Sequence, residues 1–376
     1  MKKWDYCILD DAVKKASSNI SINKIKDDEE IYPLYGAKGL VQNISFFQQE
    51  EEYLAIIKDG AGIGRISRHP SKSSVVATMQ YIIPKTQYNI QFVRYFLESI
   101  DFEKYRTGST IPHIYYKDYK NELFPIVNIN EQKQIVEILD KTFESIEQAK
   151  ANIEKNIENT KELFQSRLNE IFSQKGEGWE EKELIEINKF IDYRGKTPKK
   201  TESGIRLITA KNVKMGVLNR EPEEYIDTND YESWMTRGIP QKGDVLFTTE
   251  APLAMVALLD TDEKIALAQR IITLCPNREI LSGEYLSYCM QSDIVQNRIL
   301  EKGTGATVTG IKSKLLKEIL IPIPKNKNIQ KRIVDEIDIL KEQTKQLEKH
   351  YKQKLKNLEE LKKSILQKAF SGELLK

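Results

Sequence analysis

Cysteine, histidine and long apolar runs are scarce in this 376-residue chain, and neither sign of charge prevails. The three cysteines (Cys7, Cys275 and Cys289) are scattered, without the close spacing of a zinc knuckle or a disulfide framework. The N-terminus, MKKWDYCILDD, meets charge within a few residues and lacks the apolar core of a signal peptide. No run approaches the roughly 18 to 20 apolar residues that a membrane span needs. These absences predict a soluble, cytoplasmic protein with no membrane partner.

Catalytic patterns are missing as well. GAGIG at 60–64 has neither the βαβ context nor the acidic partner of a dinucleotide fingerprint. GKT at 195–197 resembles the end of a phosphate loop, but Phe190 stands where the required glycine would be. No Asn/Asp-Pro-Pro-aromatic motif of a methyltransferase occurs, nor an acidic pair followed by Glu-x-Lys as in a nuclease. The three histidines (His69, His113 and His350) lie far apart. The expectation is a non-catalytic chain with no metal or cofactor of its own.

Charge is balanced piece by piece. Lys and Arg number 58 against 56 Asp and Glu, a net charge of +2. Residues 1–130 hold 17 basic against 16 acidic side chains, and 173–327 hold 23 against 23. Segment 131–172 holds 6 against 9, and 328–376 holds 12 against 8. Any contact with nucleic acid must therefore come from local basic loops, because no domain is basic as a whole.

What the chain does have is an internal repeat. EQKQIVEILD at 131 and IQKRIVDEID at 329 open two segments that superpose without a gap over about 42 positions at a shift of 198, with about 13 identities. Gln132 and Gln330, Ile135 and Ile333, Val136 and Val334, Leu163 and Leu361, Ser166 and Ser364, and Phe172 and Phe370 are matched pairs. Neither copy contains Gly or Pro. In the second, Ile333, Ile337, Leu340, Thr344, Leu347, Tyr351, Leu358, Leu361 and Ile365 follow a heptad seam, with Lys354 as its one gap. The first carries Ile135, Leu139, Ile146, Ala149, Ile153 and Leu163, weakened by Thr142, Asn156 and Thr160. A helix this long cannot bury its own stripe. Either the two copies pack on each other, or each caps its own domain; the expectation adopted is the mutual coiled coil.

The repeat extends upstream more faintly. GSTIPHIYYKDYKNELFPIV (108–127) lies opposite GATVTGIKSKLLKEILIPIP (305–324), each a Gly-Ser/Thr turn followed by a short apolar strand ending in proline. FVRYFLES (92–99) and YLSYCMQS (285–292) are similar short helices, and Trp4 and Trp179 occupy matching starts. YLAIIKDGAGIG (53–64) matches GDVLFTTEAPLA (243–254) only as a β-rich run entering a turn. The predicted division is a β-rich domain at 1–130, a long helix at 131–172, the linker SQKGEG at 173–178, a second domain at 179–327 and a second long helix at 328–376.

This order resembles the specificity (S) subunits of type I restriction-modification systems. The runs that carry the resemblance are IPHI…FPIVNINEQKQIV at the first junction, IYPLYGAKGLV (31–41), IIKDGAGIGRI (56–66) and the ending LQKAFSGEL (366–374). Asn328-Ile329-Gln330 departs from the Glu-Gln expected at the second junction, and EAPLA (250–254) lacks the glycines of GAGIG. The resemblance implies an α+β fold: two mixed β-rich target-recognition domains separated by two long helices in an antiparallel coiled coil, with pseudo-twofold symmetry. It also implies that each domain reads one half of a bipartite, asymmetric target in double-stranded DNA, while the helices set the gap. Two methyltransferase subunits and restriction (motor) subunits would be the protein partners, bringing S-adenosylmethionine, ATP and Mg²⁺.

With that architecture, two basic loops become candidate DNA contacts, since Lys and Arg bind phosphates and Arg and Asn read base edges. One comprises Lys58, Arg65, Arg68, His69 and Lys72; the other comprises Arg194, Lys196, Lys199, Lys200, Arg206, Lys211, Asn212 and Lys214. The Gly/Ser/Thr turns form a second group: Arg106, Thr107, Ser109 and Thr110 in one half, and Lys302, Thr304, Thr307 and Thr309 in the other. Of the adjacent Tyr115 and Tyr116, one is expected in the core and Tyr115 is taken as the DNA-facing residue. Two other readings stand beside this one: a coiled-coil scaffold that holds two protein partners without touching DNA, and a stand-alone DNA-processing enzyme.

Overall fold

The computed structural model describes residues 4–25, 31–174, 177–193, 195, 197–305 and 309–374. The chain divides into two compact units, Met1–Glu154 with Lys352–Lys376, and Lys155–Tyr351. The fold is α+β, with two β-rich domains and two long helices, Ile129–Ser173 and Lys327–Phe370. The division falls within the long helices and not at the polar stretch 173–178, of which Lys175 and Gly176 lie outside the described residues. The reason is packing. Leu168, Ile171 and Phe172 are buried in the core of the second unit, so the end of the first long helix belongs to it.

In the first unit the strands are β1 (Asp5–Ile8), β2 (Val13–Ser17), β3 (Tyr32–Gly36), β4 (Gly39–Ile44), β5 (Tyr53–Ile57), β6 (Ile66–His69), β7 (Ser74–Val75), β8 (Met79–Pro84) and β9 (Leu123–Ile126). They form a four-stranded sheet β2-β8-β5-β6, a three-stranded sheet β4-β3-β7 and the pair β1-β9. Every residue of the central β5 is buried, which explains its unbroken apolar run YLAII.

The second unit repeats this plan. Its strands are β10 (Trp179–Glu183), β11 (Asn188–Asp192), β12 (Ile205–Ile208), β13 (Val213–Lys214), β14 (Val217–Leu218), β15 (Tyr225–Ile226), β16 (Val245–Thr248), β17 (Val256–Leu258), β18 (Ile265–Leu267), β19 (Ile271–Pro276) and β20 (Leu320–Pro324). The sheets β11-β19-β16-β17 and β15-β12-β18 and the pair β10-β20 reproduce those of the first unit, and β13-β14 is an added hairpin. Even the strand sense is kept, with β3 parallel to β7 and β12 parallel to β18.

A buried glutamine couples each domain to its long helix. Gln132 donates through Nε2 to the Val127 carbonyl (2.7 Å), and its Oε1 accepts from the Asn89 N–H (2.7 Å). Gln330 donates to the carbonyls of Pro324 (2.9 Å) and Ile280 (3.0 Å). A buried backbone carbonyl left without a donor is costly, so this amide ties the apolar strand before the helix to the helix itself. The departure at Asn328-Ile329 leaves the arrangement intact because the glutamine is kept. Tyr95 and Tyr288, on the short helices Ile90–Ser99 and Gly283–Gln291, donate their hydroxyls to Asp140 and Asp338 on the long helices.

Within the first unit the two long helices run antiparallel, since Lys150 pairs with Glu359 (2.5 Å) and Glu147 with Lys362 (3.6 Å). Phe370 packs its ring against Phe92 (5.2 Å between centroids) and Phe96 (5.5 Å). In the second unit Arg167 meets Glu336 (2.5 Å), and Phe172 packs against Tyr285 (5.5 Å). Each domain core is thus closed by the start of one long helix and the end of the other.

The seam departs from the strict heptad. Leu163, Leu347 and Leu361 are 55%, 42% and 47% exposed. The inward-facing stripe of the first helix passes instead through half-buried Ile157 and Phe164 and buried Thr160 and Leu168, and in the second half-buried Leu355 fills the Lys354 gap. A straight helix drifts by about 20° per heptad, so the inward face moves by a residue along its length. Thr160 does not weaken the seam. It is buried with its hydroxyl donating to the Asn156 carbonyl (2.7 Å), as Thr344 donates to that of Leu340 (3.0 Å). Among the described residues no helix is long and apolar enough to cross a membrane.

Candidate nucleic-acid interface

Two segments singled out separately in the sequence meet in the first unit. β5 leaves its sheet at Lys58 and Asp59 and enters the glycine turn, where Gly64 has φ +80° and lies so close to Phe102 that no side chain would fit. The turn at 107–113 is closed by reciprocal backbone bonds between Thr107 and His113 (2.9 and 2.8 Å). Gly108 (φ +83°) makes that closure possible, because a Cβ there would meet the Ile111 carbonyl oxygen. The turn docks on the strand exit: Ile114 N–H donates to the Lys58 carbonyl (2.9 Å), and His113 Nδ1 lies 2.7 Å from Asp59 Oδ1. Thr107, Ser109 and Thr110 are left exposed.

The second unit makes the same joint. Thr304 and Gly310 exchange backbone bonds (2.8 and 2.9 Å), and Ile311 N–H donates to the Thr249 carbonyl (3.0 Å) at the exit of β16. Glu250 follows, paired with Arg270 at 3.0 Å. Glu250, Thr249, Gln269, Arg270, Thr304 and Lys312 line a depression of about 420 Å³. At the corresponding end of the first unit, a depression of about 500 Å³ is lined by Lys15, Ser17, Lys58, Gln80, Tyr115, Lys117 and Lys120.

Tyr115 is 49% exposed, stacks near His113 and has Lys117 Nζ 5.5 Å from its ring centre, whereas Tyr116 is in the core. Lys199, Lys214 and Thr309 are exposed. Most other candidate cations already hold an acid. Lys58 pairs with Asp59 (2.5 Å), Arg68 with Glu52 (2.6 Å), Lys72 with Glu50 (3.9 Å) and Arg106 with Glu103 (3.2 Å). Lys200 and Lys211 share Glu224 (2.8 and 3.9 Å), and Lys302 meets Glu318 (3.6 Å). Arg65 donates to the Ala37 carbonyl (3.2 Å). An exposed pair contributes at most about 1 kcal/mol, so a phosphate can displace the carboxylate. Arg194, Lys196 and Thr307 lie outside the described residues.

Two candidates, Asn212 and His69, are buried side chains and not surface contacts, and a third, Arg206, is largely buried. Asn212 accepts from Thr209 N–H (3.0 Å) and donates to the carbonyls of Asn219 (3.2 Å) and Pro222 (3.0 Å), so it staples the loop. Arg206 is largely buried, donating to the Arg220 carbonyl and to Glu223 (3.2 Å). His69 is 6% exposed, packed between Tyr35 and Tyr53, with Ser67 Oγ 2.7 Å from Nε2. Alternation along β6 turns Arg68 outward and His69 inward.

Burial pushes the His69 imidazole down from 6.5 to about 4. The folded unit favours the neutral ring, while the unfolded chain takes up a proton below pH 6.5. The corresponding stability is complete above that pH and is lost as pH falls toward 4, by about 3 kcal/mol in all. Denaturant melts of a His69→Phe variant between about pH 7 and pH 4 should show a flatter dependence than the parent chain. An unchanged slope would assign the acid sensitivity elsewhere.

Lys15, Lys117, Lys120, Gln269, Arg270 and Lys312 join these depressions without being marked as candidates by the sequence. Lys15 reaches the site only through the β2-β8 pairing, and Arg270, itself at φ +73°, through its place just before β19. No local pattern marks either.

The model of the type I restriction modification DNA specificity domain matches residues 1–159 and 176–357. The chain belongs to that family. Each match covers one β-rich domain and most or part of the long helix that follows it. The specificity subunit of the type I restriction enzyme MjaVIII of Methanocaldococcus jannaschii is 24% identical over 341 residues, which cover 82% of this chain and 78% of that one. The EcoBI specificity subunit of Escherichia coli is 22% identical over 291 residues, 70% of this chain and 61% of its own. Two solved structures share the fold of this specificity-family chain. One, from work on complex assembly and conformational transition of the type I R-M system, covers 99% of this chain and 98% of its own at 17% identity, with a TM-score of 0.74. The HsdS subunit from Thermoanaerobacter tengcongensis covers 99% and 97% at 17% identity, with a TM-score of 0.57.

Proposed function

We propose that this chain is the DNA-reading subunit of a type I restriction-modification complex. Each β-rich domain reads one half of a bipartite, asymmetric target through the major groove, and the long helices set the unread gap. Methyl transfer to adenine and cleavage belong to two methyltransferase subunits and to restriction subunits, which supply S-adenosylmethionine, ATP and Mg²⁺ chemistry. The observation that carries this reading is the recurrence of one surface in both units: a hydroxyl-rich turn closed on itself and docked against the exit of the central strand, beside exposed cations. Such a turn offers backbone N–H and hydroxyl donors to phosphate, and the adjoining side chains reach base edges.

The test is genome-wide methylation profiling of a host expressing the chain with its methyltransferase subunit. One split sequence, methylated on adenine, is expected. Methylation without sequence preference would return the scaffold reading to first place. Product formed by the lone chain with DNA, Mg²⁺ and S-adenosylmethionine would point to a stand-alone enzyme.

A further inference from the structure

Asp59 and Glu250 occupy the same place in the two units. Each is the second residue beyond its central strand, β5 or β16, and each lies on the joint where the hydroxyl turn docks. Their backbone partners match, Asp59 bridging to His113 and Glu250 to Gly310. Each carboxylate is partly exposed and held by basic side chains: Asp59 by Lys58 (2.5 Å) and the His113 imidazole (2.7 Å), Glu250 by Arg270 (3.0 Å).

An acid is out of place on a surface that receives a polyanion, since it repels phosphate. It is useful where a base presents an N–H: cytosine N4 and adenine N6 both do so in the major groove, and a carboxylate accepts from them. The cation beside it offsets the repulsion during approach and fixes the direction of the carboxylate. Each oxygen has two lone pairs, so an ion pair leaves acceptor capacity in place. Burial alone would raise the Asp59 carboxyl, but the hydrogen bonds from His113 and Lys58 outweigh it and hold the group below its ordinary value. It is therefore an acceptor at neutral pH.

We propose that Asp59 and Glu250 are equivalent base-reading acceptors, each taking the exocyclic amino group of a cytosine or adenine in its own half-site. The differing neighbours, an imidazole in one unit and a guanidinium in the other, place different donors beside equivalent acceptors, which suits an asymmetric target. The inference rests on the DNA-reading function proposed above.

The experiment selects duplexes from a random pool with the complex of this chain and its methyltransferase subunit, using the parent chain, Asp59→Asn and Glu250→Gln. Asp59→Asn should relax or switch preference at one or two base pairs of one half-site, with a loss of discrimination of about tenfold to about a hundredfold. Glu250→Gln should do the same in the other half-site only. If either variant fails to melt as the parent does, Asp59→Glu or Glu250→Asp, which keep the charge and change the reach, replaces it and is read in the same way. Preferences unchanged in both halves, or lost in both halves together, overturn the assignment while the DNA-reading function stands. A parent complex that selects no sequence overturns that function, and the assignment with it.

Discussion

Phe370→Ala is expected to cost the first unit about 3–5 kcal/mol and to leave the second unit's protection in place. Phe370 is buried at the end of the second long helix, with its ring against Phe92 and Phe96 and beside Ala369 and Leu366. Truncation removes a ring from a closely packed aromatic group, and the neighbouring helices, tied by Gln132 and by the Tyr95–Asp140 bond, cannot collapse into the space. Phe172→Ala is the matched change. It removes a ring that packs on Tyr285 and should weaken the second unit by a similar amount. Hydrogen exchange read by mass spectrometry separates the two. Loss of protection in residues 53–126 for Phe370→Ala, and in residues 179–324 for Phe172→Ala, is the expected pair of results. The reverse pattern would mean that the helix ends close the wrong cores.

The combined change of Lys15, Lys117 and Lys120 to Glu is expected to weaken DNA binding by on the order of a hundredfold or more near 0.1 M salt. These lysines surround Tyr115 and the docked turn, on the surface proposed to face phosphate. Three lost phosphate contacts should also flatten the dependence of log affinity on log salt by about 3. Titration of labelled duplex at several salt concentrations measures both quantities, and an unaltered affinity and slope would remove this face from the interface. Lys200 and Lys211 are poorer sites for reversal. Both lie near Glu224, so a new carboxylate there would repel it and confound folding with binding.

The parts legible in the sequence were those governed by short-range rules. The long helices show themselves by three- and four-residue steps without Gly or Pro, and the duplication by matched residues such as Gln132 and Gln330. The hydroxyl turns were visible as Gly-Ser/Thr runs because a closed turn needs a residue such as Gly108 at positive φ. His69 and Asn212 are buried against the sequence expectation for one reason: type and neighbourhood suggest a polar contact, but burial depends on which face of a strand or loop the side chain takes. Tyr115 and Tyr116 show the same point at its simplest, adjacent and alike, with one exposed and one in the core.

What the sequence by itself determined is the duplication, the α+β plan, the two long helices and the family resemblance, all of which follow from local periodicity and from matched order along the chain. What only the tertiary structure decided is which residues meet. Arg68 finds Glu52, His113 finds Asp59, and Phe370 closes a core that begins at the opposite end of the chain. These partners lie from 16 residues apart to opposite ends of the chain. Strand register and helix packing, which bring them together, are set by the burial of the whole core and not by any segment read alone.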